Sequence, residues 1–166
     1  MSKAQEWIQT LQLTQHPEGG WYREIYRSDV SIPQSALPAD FGSERCFFTA
    51  IYFLLQLGNF SAFHRIRQDE MWHFYAGDPL LLHAISPSGE LFTVTLGRSW
   101  ADGQRLTSVV RAGWWFAAEV APGGEFSLVG CTVAPGFEFQ DLEMADRAHL
   151  QQQFPHLEAD IARLTR

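Results

Sequence analysis

His64 and Glu70 are the two residues best placed to trade protons in this 166-residue chain, and both lie in the stretch Gly58 to Gly77, GNFSAFHRIRQDEMWHFYAG. A histidine and a carboxyl facing one apolar cavity suit general acid–base chemistry. Desolvation raises the carboxyl's pKa and the imidazole tunes it in return. For this to work, the two side chains must point into the same interior. Side chains alternate along a strand, which predicts Phe60, Ala62, His64 and Ile66 on one face of a first strand. Glu70, Trp72, Phe74 and Ala76 then share a face of a second. Arg65, Arg67, Gln68 and Asp69 make the polar bend between them. The plainer alternative is a buried His–Glu pair with only a structural role.

The remaining chain supplies the strands that must frame this hairpin. Ser2 and Gln5 could form a capping box, and Ala4, Trp7, Ile8 and Leu11 recur at helical spacing, so residues 2 to 12 read as a helix. His16-Pro17-Glu18-Gly19-Gly20 is a turn. Trp21 to Ser28 alternates as a strand, with Trp21, Arg23, Ile25 and Arg27 on one side and Tyr22, Glu24 and Tyr26 on the other. Asp29 to Gly42 is a long loop and a candidate lid. Cys46 to Gln56 reads as a strand buried on both faces. Pro79 to Ser86 and Glu90 to Gly97 form a second hairpin around Pro87-Ser88-Gly89. Arg105 to Arg111, Trp114 to Glu119 and Glu125 to Val133 continue the series. Phe137 to Leu142 is a candidate last strand, Met144 to Phe154 is helical, and Leu157, Ile161 and Leu164 mark a closing helix. Regular short strands split by Gly and Pro predict a sandwich or barrel.

Composition narrows the function classes. The length fits one domain, residues 1–166, with a sizeable core. The net charge is −7, Lys3 is the single lysine and the arginines are scattered, which argues against a nucleic-acid surface. No apolar run approaches the roughly 20 residues of a membrane helix. The N-terminal MSKAQEW lacks the apolar core of a signal peptide, so a cytoplasmic location is expected. Cys46 and Cys131 then read as reduced, buried small side chains.

Gly58, His64, Glu70 and Gly77 sit at the spacing of the first signature motif of the cupin superfamily, with Ile66 where that motif carries a second histidine. HPEGGWYREIYRS at 16–28, TAIYFLLQLG at 49–58, DEMWHFYAGDPL at 69–80 and LVGCTVAPGFEFQDLEMA at 128–145 resemble the largely uncharacterised branch known as the fifth cupin family. The resemblance implies an all-β double-stranded β-helix, the cupin jelly-roll barrel, with short N- and C-terminal helices here and pairing as a homodimer. Cupins usually hold a metal through three histidines and a glutamate. Here Ile66 replaces one ligand, and in RAGWWF at 111–116 Phe116 stands where the last histidine belongs. We therefore expect no metal and no other cofactor, because catalytic metals normally have about three protein ligands.

The other candidates are a second acidic cluster and a set of rings. Glu138, Asp141 and Glu143 read as solvated acids or helix caps. In metal-free sugar epimerases of the cupin superfamily a His–Asp pair abstracts a proton next to a carbonyl, and by that analogy Asp141 orients His64. Trp72 and Phe74 share the face of Glu70, Trp114 and Phe116 share a face of a later strand, and Tyr22, Tyr26 and Tyr52 add hydroxyls. Such walls suit a sugar or another flat ligand, and ordinary core packing accounts for the same rings. Arg23, with Arg27, could bind a carboxylate or phosphate or pair with acids across the sheet. The expected function is a metal-independent isomerase or epimerase on a small polar ligand. His64, Glu70 and Asp141 would be catalytic, and Tyr52, Trp72, Phe74, Phe116 and Arg23 would bind the ligand. A non-catalytic small-molecule binder and a metal-dependent enzyme are the alternatives.

If the face of Glu70 is inward, Met71, His73 and Tyr75 point outward, a stripe that calls for a cover. A second copy of the chain would supply one.

Overall fold

The computed structural model describes residues 2–166. Glycine- and proline-bearing turns cut the chain into strands much as the sequence predicts. In chain order these are β1 (Thr14–Gln15), β2 (Trp21–Arg27), β3 (Ser31–Ile32), β4 (Arg45–Cys46), β5 (Thr49–Gln56), β6 (Phe60–Arg65) and β7 (Asp69–Gly77). They continue with β8 (Leu80–Ile85), β9 (Leu91–Leu96), β10 (Thr107–Val110), β11 (Trp115–Val120), β12 (Phe126–Ala134) and β13 (Glu143–Met144). The helices are α1 (Lys3–Thr10), α2 (Arg147–Gln153) and α3 (Glu158–Arg163). Ser2 caps α1 by accepting a hydrogen bond from the Gln5 amide, which is one of the two bonds of the capping box read from the sequence.

The strands form one sheet in the order β1-β2-β5-β12-β7-β10 and a second in the order β13-β6-β11-β8-β9. Their inner faces pack on each other through Phe53, Leu55, Trp72, Phe74, Val129 and Val133 on one side and Leu80, Leu82, Phe116, Ala118 and Val120 on the other. This is the all-β double-stranded β-helix expected, a jelly roll of two facing antiparallel sheets with short terminal helices. The outer face of the five-stranded sheet, with Phe63, Ile85, Trp115 and Ala117, is covered by Leu150, Phe154, Leu157, Ile161 and Leu164 of the C-terminal helical segment. Helix α1 covers only part of the other outer face, where Ala4 and Ile8 pack near Leu54, Phe126 and Leu128. Met71, Tyr75, Val109 and Tyr26 stay exposed there.

Three register shifts change which residues share a face. In β2, a shift between Glu24 and Tyr26 puts Arg27 opposite Thr49, on the side of Tyr22 and Glu24, whereas strict alternation would keep it with Arg23. In β6, His64 pairs with Phe116 but Ser61 pairs with Ala118. Ser61 therefore joins His64 on the inner face, and Phe60 packs with the outer cluster. In β7, a shift sends Ala76 to the cluster around α1 while Phe74 stays inside.

Other boundaries also differ from the sequence reading. Phe47 and Phe48 interrupt the expected long strand, leaving β4 to pair with β3. The stretch expected as the last strand carries a single 3₁₀ turn at Phe139–Asp141, and the pairing passes to Glu143 and Met144 against β6.

Candidate functional site

Between the sheets, towards β2, lies a cavity of about 270 Å³. His64, Ile66, Glu70, Ile51, Cys131 and Val133 form its inner part, and Phe137, Glu138, Phe139 and Leu142 form one wall. His16, Glu18, Tyr22, Glu24 and Arg27 come from the turn before β2 and from β2 itself.

The carboxylate on His64 is Glu18. Its Oε2 lies 2.9 Å from His64 Nε2, and Ser61 Oγ donates to its Oε1 at 2.8 Å. The turn that delivers Glu18 explains its two glycines. Gly19 and Gly20 have φ of +110° and +77°, values that L side chains rarely adopt. A Cβ on Gly19 would come within 2.2 Å of the Phe60 carbonyl, and one on Gly20 within 2.9 Å of the Leu54 carbonyl. The turn thus lies directly on β5 and β6, where the Glu18 carbonyl accepts from the Ala62 amide at 2.8 Å.

His64 Nδ1 faces the Ala62 carbonyl at 2.7 Å, so that nitrogen carries a proton. With Nε2 against Glu18, both ring nitrogens are engaged. Burial is the largest effect on His64 and lowers its pKa. The Glu18 charge and hydrogen bond, the nearby Glu70 and the Ala62 carbonyl outweigh it, and the net shift is upward. Burial likewise pushes Glu18 up, but His64, His16 and Ser61 bring it below the ordinary carboxylate value. The pair is an imidazolium–carboxylate ion pair.

Glu70 is in the opposite condition. It is 8% exposed, lines the cavity and, among the described residues, has no cationic group within ion-pair distance. Burial first, and then repulsion from Glu18, raise its pKa to about 7, against a smaller opposing effect of His64 and the Cys131 thiol. The Cys131 thiol is pushed well up by burial and by Glu70, so it is a protonated donor and not a nucleophile. His16 is held neutral, because burial outweighs the attraction of Glu18. Its ring stands edge-on to Tyr22 at 4.5 Å and lies 5.7 Å from the ring of Phe139. At the mouth, Arg27 forks onto Glu24 at 3.0 and 2.9 Å and reaches Glu138 at 2.6 Å.

Of the residues singled out in the sequence, His64 and Glu70 meet in this cavity. Asp141 does not meet them. Both its oxygens are held by Arg45, at 2.8 and 2.6 Å, and Gln68 donates to it at 2.8 Å. The Arg45–Asp141 side chains are fully buried, and they anchor the wall formed by residues 137–142. Trp72 and Phe116 lie behind the cavity in the core, with Phe116 4.0 Å from the His64 ring. Phe74 is also a core residue, capped by Arg98. Tyr52 is on the outer face against Tyr75, because β5 sends Ile51 and Phe53 inward. Arg23 is on that outer face too and bonds the Leu11 carbonyl and Gln12.

The cavity-lining rings are instead Tyr22, Phe137, Phe139 and His16. Glu18 was the residue that sequence reasoning missed. Its signal was the Gly19-Gly20 pair beside a carboxylate, which marks a close backbone approach as well as a turn.

The donor set does not fit a cupin metal. Ile66 and Phe116 offer no ligand atoms, and both His64 nitrogens are occupied. Among the described residues, no three His, Cys, Asp or Glu side chains are grouped to hold an ion.

The chain matches the family described as Cupin superfamily (DUF985) over residues 5–145. A hypothetical protein from Leishmania major is 35% identical, with a TM-score of 0.90 and 99% of each chain covered. A Shewanella oneidensis protein is 42% identical with a TM-score of 0.89, covering 100% of this chain and 99% of that one. An uncharacterized protein of Saccharomyces cerevisiae is 28% identical over 150 residues, 84% of this chain and 74% of its own length. Oxalate decarboxylase from Bacillus subtilis shares the fold, with a TM-score of 0.55 at 13% identity, covering 90% of this chain and 36% of that one.

Proposed function

We propose that this chain, which belongs to the DUF985 family of the cupin superfamily, catalyses metal-independent proton transfer on a small polar ligand, as an isomerase or epimerase does. The observation that carries the reading is Glu70, a buried carboxyl at the cavity wall with no cationic partner among the described residues. It faces a fixed Glu18–His64 ion pair. A group whose pKa lies near neutrality both takes and returns a proton at low cost. His64, with both nitrogens engaged, serves less as the base than as the charge that steadies an anion forming in the cavity.

The test is hydrogen exchange. A panel of small ketoses and aldoses and their amino-substituted counterparts is incubated with the protein in D₂O, and deuterium incorporation is followed by NMR. Exchange on one member, reduced by roughly 100-fold or more in Glu70→Gln, supports the reading. Exchange on a ligand that is known to bind, unchanged in Glu70→Gln, would defeat it. A binder without turnover is the second reading. It is favoured by the complete hydrogen bonding of His64, and it expects ligand binding with no exchange.

The exposed Met71, Tyr75, Val109 and Tyr26 on the six-stranded sheet support a homodimer through that face, which sedimentation at micromolar concentration would detect. Unpaired Cys46 and Cys131 are in keeping with a reducing cytoplasm. Among the described residues no helix is long and apolar enough to cross a membrane.

A further inference from the structure

The charges around the cavity are unequal. Four carboxyl groups line it, those of Glu18, Glu24, Glu70 and Glu138, against the cationic Arg27 and His64. Glu18 is matched by His64, and Arg27 serves both Glu24 and Glu138. Among the described residues Glu70 is left without a counter-ion, although it is nine-tenths buried. An anionic ligand entering this space would meet surplus negative charge in a poorly solvated enclosure, where such repulsion is least screened. A cation would supply the counter-charge that Glu70 lacks. It would also find ring faces and edges, because Tyr22, Phe137, Phe139 and neutral His16 surround the approach. Aromatic faces attract ammonium groups.

We infer that the occupant of this cavity is a small ligand bearing a protonated amine and no anionic group, its ammonium placed between Glu70 and the aromatic approach. The inference rests on the cavity being the ligand site of the proposed proton-transfer reaction. It separates this protein from cupin chemistry on small carboxylates. It also implies that binding draws a proton off Glu70, so association tightens as pH rises through neutrality.

Three probes of one skeleton test the charge class: benzylamine, benzyl alcohol and benzoate, titrated by NMR at pH 7 against the full chain. Benzylammonium is expected to bind roughly tenfold tighter than benzyl alcohol, with benzoate weakest. Calorimetry in two buffers of different ionisation enthalpy should show proton release for benzylammonium alone. Glu70→Gln should remove both the release and most of the preference. If that variant does not fold, Phe139→Leu at the half-exposed rim should weaken benzylammonium severalfold. Equal affinities, a benzoate-first ranking or no binding by any probe would each overturn the inference. A benzoate-first ranking together with Glu70-dependent hydrogen exchange would remove the ligand class and leave the proton-transfer reading. An amine-first ranking without exchange would do the reverse.

Discussion

The five-stranded sheet carries a histidine–glutamate pair on each face. Inside, His64 Nε2 lies 2.9 Å from Glu18. Outside, His83 Nε2 lies 3.1 Å from Glu119. Each ring's Nδ1 also has an oxygen partner, the Ala62 carbonyl at 2.7 Å and the Thr93 hydroxyl at 2.9 Å. Both rings are buried, yet their pKa values move in opposite directions. Burial lowers both. For His64 the effects of Glu18 and Glu70 prevail and the pKa rises. For His83 burial prevails over Glu119, helped by Arg163, and the pKa falls. Arg163 also bonds Glu119, so the outer carboxylate already has a cation. The outer group clamps α3 onto the sheet. The inner pair borders a cavity and leaves a second carboxyl unmatched beside it. A short His–Glu contact therefore says little about function by itself, and the other charges nearby decide what the contact does.

Removing one partner from each pair should give the largest separation. His64→Ala leaves Glu18 buried with Ser61 and neutral His16, and should cost about 3–5 kcal/mol, as breaking a buried ion pair does. His83→Ala leaves Glu119, itself partly exposed, still bonded to Arg163, and should cost about 1–2 kcal/mol. Urea unfolding of both variants at pH 7 measures the difference. Equal costs would mean that the two pairs are the same kind of structural contact.

Glu70 offers the next largest effect. Its folded pKa of about 7 is above the ordinary 4.5, so the native state binds the proton more tightly than the unfolded chain. Stability therefore falls as pH rises from about 4.5 through 7 and stays reduced above that. The shift corresponds to about 3 kcal/mol. Glu70→Gln should be more stable than the parent by up to that amount at pH 8 and no more stable at pH 4, while losing hydrogen exchange. A variant less stable than the parent at pH 8 would show that Glu70 is satisfied as it stands.

The two histidines should then show smaller trends of opposite sign. The contribution of His64 is fully present below the ordinary histidine pKa and is lost as pH rises through its raised folded value. The contribution of His83 is present above the ordinary value and is lost as pH falls through its lowered one. The stability difference between parent and His64→Asn should shrink towards high pH, and that between parent and His83→Asn should shrink towards low pH. Parallel slopes would remove the contrast.

The fold was legible because its signals are local. Turn glycines, strand alternation and motif spacing all act within a few residues, and they placed His64 and Glu70 in one interior correctly. The rest of the site depends on long-range approach. Glu18 reaches His64 only because Gly19 and Gly20 let the turn lie on β5 and β6. Asp141 was drawn away from His64 by Arg45, a residue 96 positions earlier in the chain. The register shifts were invisible because alternation is a rule about ideal pairing. They moved Ser61 inward and Phe60 outward, and they separated Arg23 from Arg27.

Those two arginines give the finest test. Continuous alternation along β2 would put both on one face, and their replacement would then have similar effects. With the shift between Glu24 and Tyr26, Arg27 stands at the cavity mouth between Glu24 and Glu138, whereas Arg23 bonds the end of α1 on the far face. Arg27→Ala removes the one cation that neutralises two mouth carboxylates, so benzylammonium should bind roughly threefold to tenfold tighter and the gain should fade with added salt. Arg23→Ala should leave that affinity unchanged and alter stability by about 0.5 kcal/mol or less, because its contacts are exposed. Benzylammonium titrations at low and high salt measure both. If the two variants behave alike, the register shift in β2 does not divide the faces, and the acidic mouth is not what selects the ligand.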